Sequence, residues 1–163
     1  MTFIDYYGGF MTRINCIPAT MLLDEHLQAA VREGLRPLNE VLSGKDNIKG
    51  RPDDWKLGKG HVLFTKVHLP FTIYQWLEAQ REYHKRGFKG FGYTPPTFSH
   101  LPKEYLNTYR PTKKALRSNL ARIIERWRKR KKPYHFKGKV IDNRREFLLY
   151  YKQLKEDVLQ DYN

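Results

Sequence analysis

The segment TKKALRSNLARIIERWR, residues 112–128, carries the clearest helical pattern in the chain. Its apolar residues recur at intervals of three and four and so share one face of a helix: Leu116, Leu120, Ile123 and Trp127. The Thr112 hydroxyl can cap the first turn, and Pro133 stops the helix after the basic run that follows. Because the arginines of this segment lie outside the apolar face, it predicts an amphipathic helix with a basic outer surface.

Three further segments predict helices by the same criteria. The first covers residues 21–33, with Thr20 as its cap. The second covers residues 70–86, opens with a proline and ends before Gly87. The last begins after Asn143 and should pack on the body of the protein through an apolar face. Segments rich in glycine, proline or charge predict irregular connections between the helices: residues 43–55, 57–62 and 87–111.

Composition limits the kind of protein this is. At 163 residues, 40% of them hydrophobic, the chain is long enough for one folded domain with a real core. No stretch has the length of apolar sequence that a membrane span needs. The single cysteine, Cys16, allows no internal disulfide and predicts a cytoplasmic protein. The six histidines show no metal-ligand spacing, so we expect no metal site.

The charge of the chain is strongly positive. It holds 31 Lys and Arg against 17 Asp and Glu, a net charge of +14. From Lys103 to Lys139 there are fourteen cationic residues and two acids. Such a density predicts a polyanionic partner, most simply nucleic acid, with an affinity that falls steeply as salt increases. The alternative is a basic face that is merely solvated.

The stretch Met11-Thr12-Arg13-Ile14-Asn15 resembles a true protein start that lies inside the given sequence. Removal of the initiator Met would expose the α-amine of Thr12, which titrates close to physiological pH. A neutral amine can attack a sugar carbon and form an imine. Codons for Gly8 and Gly9 can form a ribosome-binding site, so we expect residues 1–10 to be a non-native or disordered extension. A real N-terminal tail is the alternative.

Two other groups of residues have both a functional and a plain interpretation. His26 and Glu33 share a face of the first predicted helix, beside Arg32 and Arg36. This pattern fits a functional site, but it is also common in surface salt bridges. The segment 134–139 interleaves aromatic and cationic residues, which suits either stacking on bases or core packing.

An ordered set of short motifs runs through residues 11–141: Met11-Thr12-Arg13-Ile14-Asn15, His26-Leu27, Arg32-Glu33, Arg36, Leu57-Gly58-Lys59-Gly60-His61-Val62, Lys85-Arg86-Gly87-Phe88, Leu101-Pro102-Lys103-Glu104-Tyr105 and Gly138-Lys139. In these motifs the sequence resembles the phage pyrimidine-dimer DNA glycosylase family, also called endonuclease V. The resemblance implies an all-α, single compact domain of three main helices over residues 11–141. Residues 142–163 would then add a C-terminal helical extension.

The resemblance also implies an activity. The Thr12 α-amine would attack C1′ of the 5′ sugar of a pyrimidine dimer in double-stranded DNA, release the base and leave an imine. Glu33 would stabilise the developing sugar cation and assist proton transfers, including the loss of the C2′ proton that nicks the strand. The family needs no cofactor or metal, and a monomer is expected. The residues implied to contact phosphates are Arg13, His26, Arg32, Arg36, Arg122 and Arg126.

Two alternatives to this activity remain at the level of sequence. The same amine chemistry could act on other base lesions, and Pro133, where the family has a large aromatic residue, leaves the lesion preference open. A basic helical DNA-binding protein without catalysis is the other. It would bind damaged and intact duplex alike, and Glu33→Gln would leave its function intact.

Overall fold

The structure is a computed structural model that describes residues 13–45, 47–90, 92 and 94–162. Within them the α-helices are α1 (Asp24–Glu33), α2 (Arg36–Leu42), α3 (His61–Val67), α4 (Leu69–Lys85), α5 (Lys113–Arg128) and α6 (Arg144–Leu159). The strands in the same part of the chain are β1 (Tyr134–Phe136) and β2 (Lys139–Ile141). The predicted all-α class is confirmed, since the two strands form only a short hairpin.

The long helices have the caps and faces that the sequence predicts. The Thr112 hydroxyl accepts a hydrogen bond of 3.0 Å from the Ala115 amide at the start of α5. The Asn143 side chain accepts one of 3.0 Å from the Glu146 amide at the start of α6. The Glu146 carboxylate in turn accepts from the Asp142 amide at 3.1 Å. The Ala115 and Glu146 amides lie in the first turns of their helices, where amides have no partner inside the helix, and the Asp142 amide lies just before the cap of α6.

The C-terminal helix shares the main hydrophobic core with the rest of the chain. Trp127 of α5 and Phe147 of α6 stack with ring centroids 4.3 Å apart and planes 4° apart. Leu154 and Val158 of α6 are buried in the same cluster as Leu27 of α1. The apolar face of α6 thus packs on the body of the protein, as predicted.

A buried ion network joins three distant parts of the chain. The Arg86 guanidinium, which follows α4, donates to Asp24 Oδ1 and Glu82 Oε1, each at 2.8 Å. The Asp24 carboxylate also accepts from the amides of Lys137 and Gly138, at 3.1 and 3.0 Å. Since Asp24 begins α1, the network fixes α4 and the hairpin turn to the start of that helix.

The hairpin is a feature that the sequence prediction missed. Its strands pair antiparallel, with Tyr134 opposite Ile141 and Phe136 opposite Lys139. The two turn residues, Lys137 and Gly138, have φ of 49° and 82°, as a two-residue hairpin turn of the primed type requires. Tyr134 and Phe136 are half-buried against the core, which agrees with the core-packing interpretation of this segment.

The start of the first helix is also a correction. Thr20 does not cap a helix; it lies within a short 3₁₀ turn, Ala19–Met21, and α1 begins only at Asp24. Leu22 and Leu23 separate the two in an extended conformation and are 2% and 0% exposed. Burial of these two leucines in the core outweighs the smaller gain from a capping hydroxyl.

Candidate functional site

A cleft lies where the N-terminal segment meets the end of α1 and the starts of α2 and α3. Its volume is about 70 Å³, and most of its lining residues are apolar, Ile17 and Trp76 among them. The charged and titratable side chains that line it are Arg13, Glu33, Arg36 and His61. Glu33 is the one acid among the described residues of the cleft, so the site combines a single carboxylate with the guanidinium groups of Arg13 and Arg36.

Arg13 enters the cleft from a strained backbone. Its φ is 52°, a left-handed value that is uncommon for a residue with a side chain. Partial burial lowers the pKa of the guanidinium, and Arg122 and Arg36 lower it further, while Glu33 acts in the opposite direction. Three arginines and the Glu33 carboxylate therefore lie close enough to interact, although they come from three separate parts of the sequence, with Glu33 and Arg36 in the same part.

Gly34 fixes the position of Glu33. A Cβ atom at Gly34 would lie 2.5 Å from Trp76 Cδ1 and 2.8 Å from the Ala30 carbonyl oxygen, closer than real Cβ atoms approach. The Trp76 indole N–H donates to the Val31 carbonyl at 3.0 Å. Because glycine lets α1 end directly against α4, Glu33, the last residue of α1, is held at the edge of the cleft.

The carboxylate of Glu40 orients the side chain of Arg36. Its Nε lies 2.7 Å from Glu40 Oε1, one turn later in α2. The other oxygen of Glu40 lies 3.0 Å from the Lys66 Nζ of α3, a side chain that is only 8% exposed. The Lys66 ammonium also donates to the Lys45 carbonyl at 2.8 Å. This chain of contacts ties the guanidinium of Arg36 to two helices.

His61 is a cleft residue to which the sequence assigned no role. Its Nδ1 lies 2.9 Å from the Lys56 carbonyl oxygen, and because a carbonyl only accepts, Nδ1 carries the proton. Burial lowers the pKa of His61 to about 4, with Arg13 and Arg122 adding to the effect and the Lys56 contact opposing it. His61 is therefore neutral at pH 7, and its Nε2 is an acceptor among cations.

His26 lies inside the protein. It is 2% exposed, and neither ring nitrogen has a hydrogen-bond partner among the described residues. Burial lowers the pKa of His26 to about 3, and Arg126 and Arg122 lower it further. Its ring meets that of Tyr134 edge-on, with centroids 5.1 Å apart. In this structure the neutral ring is too deeply buried to contact a phosphate. Its predicted contact with DNA stays a prediction.

The remaining predicted arginines occupy different positions. Arg122 is half-buried on α5, donates to Glu125 at 2.7 Å and acts electrostatically on both Arg13 and His61. Arg126, one turn later, lies near the His26 ring. Arg32 is exposed at the end of α1 and does not line the cleft. The structure thus brings Arg13, Glu33, Arg36 and Arg122 together and leaves Arg32 outside the group.

Thr12 and the predicted extension, residues 1–10, lie outside the described residues. Within the residues that the structure does describe, no three metal-ligating side chains gather into a cluster. None of the helices there is long and apolar enough to span a membrane. No known protein-family model matches the chain.

Proposed function

We propose that the protein is a DNA repair glycosylase with abasic-site lyase activity that acts on ultraviolet-induced pyrimidine dimers. The observation that carries the proposal is the cleft shared by Arg13, the residue after Thr12, and Glu33. The α-amine of Thr12 and the Glu33 carboxylate would be the two groups that imine chemistry at a sugar carbon requires.

The proposed reaction has two stages. The neutral Thr12 amine forms a bond to C1′, the glycosidic bond breaks, and the base leaves with the bonding electron pair. The nitrogen then loses a proton, the C1′–O4′ bond of the sugar ring breaks, and O4′ takes up a proton, so that a protonated imine forms between the nitrogen and C1′. Removal of the C2′ proton, with Glu33 as the proton acceptor, then expels the 3′ phosphate and nicks the strand. Water hydrolyses the imine and restores the amine, so the cycle consumes no cofactor.

The electrostatics of the cleft support this chemistry. The arginines at positions 13, 36 and 122 surround the proposed site and disfavour a further positive charge, so a nearby amine is more often neutral. The same cations attract the phosphates that flank a lesion. Glu33, as the acid of the cleft, is positioned to stabilise a positively charged sugar in the transition state.

The proposed chemistry needs a free Thr12 amine, so we take the chain that begins at Met11, with that Met removed, as the active form. We further propose that it acts as a cytoplasmic monomer on double-stranded DNA. The basic surface that α5 and the following loop present supports binding to DNA. It equally fits a DNA-binding protein without catalysis, and the experiment below separates the two.

The test compares Glu33→Gln with the unsubstituted chain begun at Met11 on a duplex that holds one thymine dimer. Glu33→Gln should reduce base release and strand nicking by about 10²- to 10⁴-fold and leave the Kd for the duplex within about twofold. Glu78→Gln, at a residue of α4 that pairs with Arg81, is the matched control and should keep full activity. Equal binding to damaged and intact duplex without nicking would show a non-catalytic binding protein instead.

A further inference from the structure

The segment that follows Thr12 is held by two side chains from distant parts of the sequence. The Asn119 Oδ1 of α5 accepts a hydrogen bond of 3.1 Å from the Cys16 amide, 103 residues earlier in the chain. The Trp55 indole N–H donates to the Asn15 side-chain oxygen. Asn119 is 0% exposed and Trp55 is 2% exposed, so both contacts are made by groups that the core holds in place.

Each of these two residues is itself fixed. The Asn119 amide nitrogen donates to the Ala115 carbonyl at 2.9 Å, which orients the amide so that its oxygen faces Cys16. The Trp55 ring meets the ring of His61 edge-on, with centroids 5.4 Å apart. Trp55 thus links the N-terminal segment directly to a residue that lines the cleft.

The segment needs such support because it has no regular structure of its own. Residues 13–15 belong to no helix or strand, and Arg13 adopts a left-handed φ of 52°. A strained backbone of this kind persists only where its surroundings determine it. The buried side chains of Ile14 and Ile17 attach the segment to the core, but burial of apolar groups has no directional preference. Hydrogen bonds at Asn15 and Cys16 supply the direction.

We propose that Trp55 is a positioning residue: together with Asn119, it holds segment 13–16 so that the amine of the preceding residue, Thr12, meets the sugar carbon on which Glu33 acts. This inference rests on the proposed function. Neither residue touches the substrate; both act through the segment. Their contribution should therefore appear in the rate of the chemical step and not in the affinity for DNA.

The test uses Trp55→Phe in the chain that begins at Met11. Phenylalanine keeps an aromatic ring in place and deletes the N–H that contacts Asn15. The measurements are the single-turnover rate of the imine, trapped with borohydride on a thymine-dimer duplex, and the Kd for that duplex. We expect a rate about tenfold to a hundredfold lower and a Kd changed less than about twofold.

Tyr83→Phe is the matched control, because it also removes one hydrogen bond of an aromatic side chain, from its hydroxyl to the Lys89 carbonyl. It should leave the rate unchanged. Asn15→Ala removes the acceptor of the same hydrogen bond, at a residue that is only half-buried. It tests the contact even if Trp55→Phe fails to fold. The double variant should be no slower than the slower single variant, because each of the two substitutions already removes the Trp55–Asn15 hydrogen bond.

The outcomes are distinct for the two proposals. No trapped adduct from the unsubstituted chain would overturn both the proposed function and this inference. An adduct from that chain, with an unchanged rate in both Trp55→Phe and Asn15→Ala, would overturn this inference alone. This inference alone would also be overturned if the rate effects of Trp55→Phe and Asn15→Ala multiply in the double variant.

Discussion

Arg86→Met should destabilise the fold more than any surface substitution, because Arg86 is the centre of the buried ion network. The side chain is 5% exposed, and its partners Asp24 and Glu82 have side chains that are 7% and 6% exposed. The guanidinium also donates to the carbonyls of Leu22, at 2.7 Å, and Thr20, at 3.1 Å. Methionine fills a similar volume but supplies none of these hydrogen bonds.

The magnitude follows from what the substitution leaves behind. Two buried carboxylates would lose their cation, and removal of one partner from a buried ion pair costs about 3–5 kcal/mol. With a denaturant dependence of about 2 kcal/mol per molar urea, the unfolding midpoint should fall by about 2 M. Arg81→Met is the control: the Arg81 side chain is 75% exposed in its pair with Glu78, and its loss should cost less than about 1 kcal/mol.

Urea unfolding, followed by circular dichroism, measures both variants. The triple variant Asp24→Asn/Glu82→Gln/Arg86→Met removes all three charges of this network and should recover much of the stability that Arg86→Met loses. A loss below about 1 kcal/mol in Arg86→Met would refute the reasoning. A triple variant less stable than Arg86→Met by the sum of the separate losses would refute it too, because the charges would then not be coupled.

Three further predictions concern other parts of the fold. Burial raises the pKa of Asp54, but its hydrogen bonds, led by that from Tyr109, outweigh this and hold the pKa below its usual value. The stabilisation is present above the pKa of the unfolded state and lost as pH falls through the folded value, so Asp54→Asn should cost about 1–2 kcal/mol at pH 7 and progressively less as pH falls below the usual aspartate pKa of about 4, as measured by urea unfolding. Glu40→Gln leaves the buried Lys66 ammonium without its carboxylate and should lower stability by about 1–3 kcal/mol in the same assay, with no loss meaning that the pair is dispensable. Phe147→Ala should cost about 3–5 kcal/mol by calorimetry, and a cost below about 1 kcal/mol would show that α6 is not part of the core.

Strong periodicity and side-chain caps made the long helices predictable. The apolar face of α5 and the caps Thr112 and Asn143 are local signals, and the structure has each of them. The hairpin was not predictable in the same way. Strands of three residues are too short to show alternation, and the turn Lys137-Gly138 lacks the Asn-Gly or Asp-Gly pair that marks most such turns.

The short helix α3 was missed for a similar reason. It begins at His61, directly after Gly60 with φ 96°, so the glycine-rich sequence that predicted a connection also concealed a helix start. The start of α1 was predicted wrongly because burial of Leu22 and Leu23 is a tertiary effect that no local pattern shows. Tertiary packing thus decided the boundaries that sequence assigned wrongly.

The candidate site was predictable only in part. Resemblance selected Arg13, Glu33 and Arg36, which the structure brings to one cleft. His61 was missed as a site residue because a lone histidine after a glycine has no distinctive spacing. The burial of His26 could not be seen from helical periodicity, which gives the face of a residue but not what packs over it.

The central claim is that the Thr12 amine is the nucleophile. Borohydride trapping on a duplex with one thymine dimer tests it most directly, with chains begun at Met1 and at Met11 compared side by side. We predict a covalent protein–DNA adduct from the Met11 chain alone, attached at Thr12. No adduct from either chain, with tight DNA binding retained, would contradict the claim and leave a binding protein.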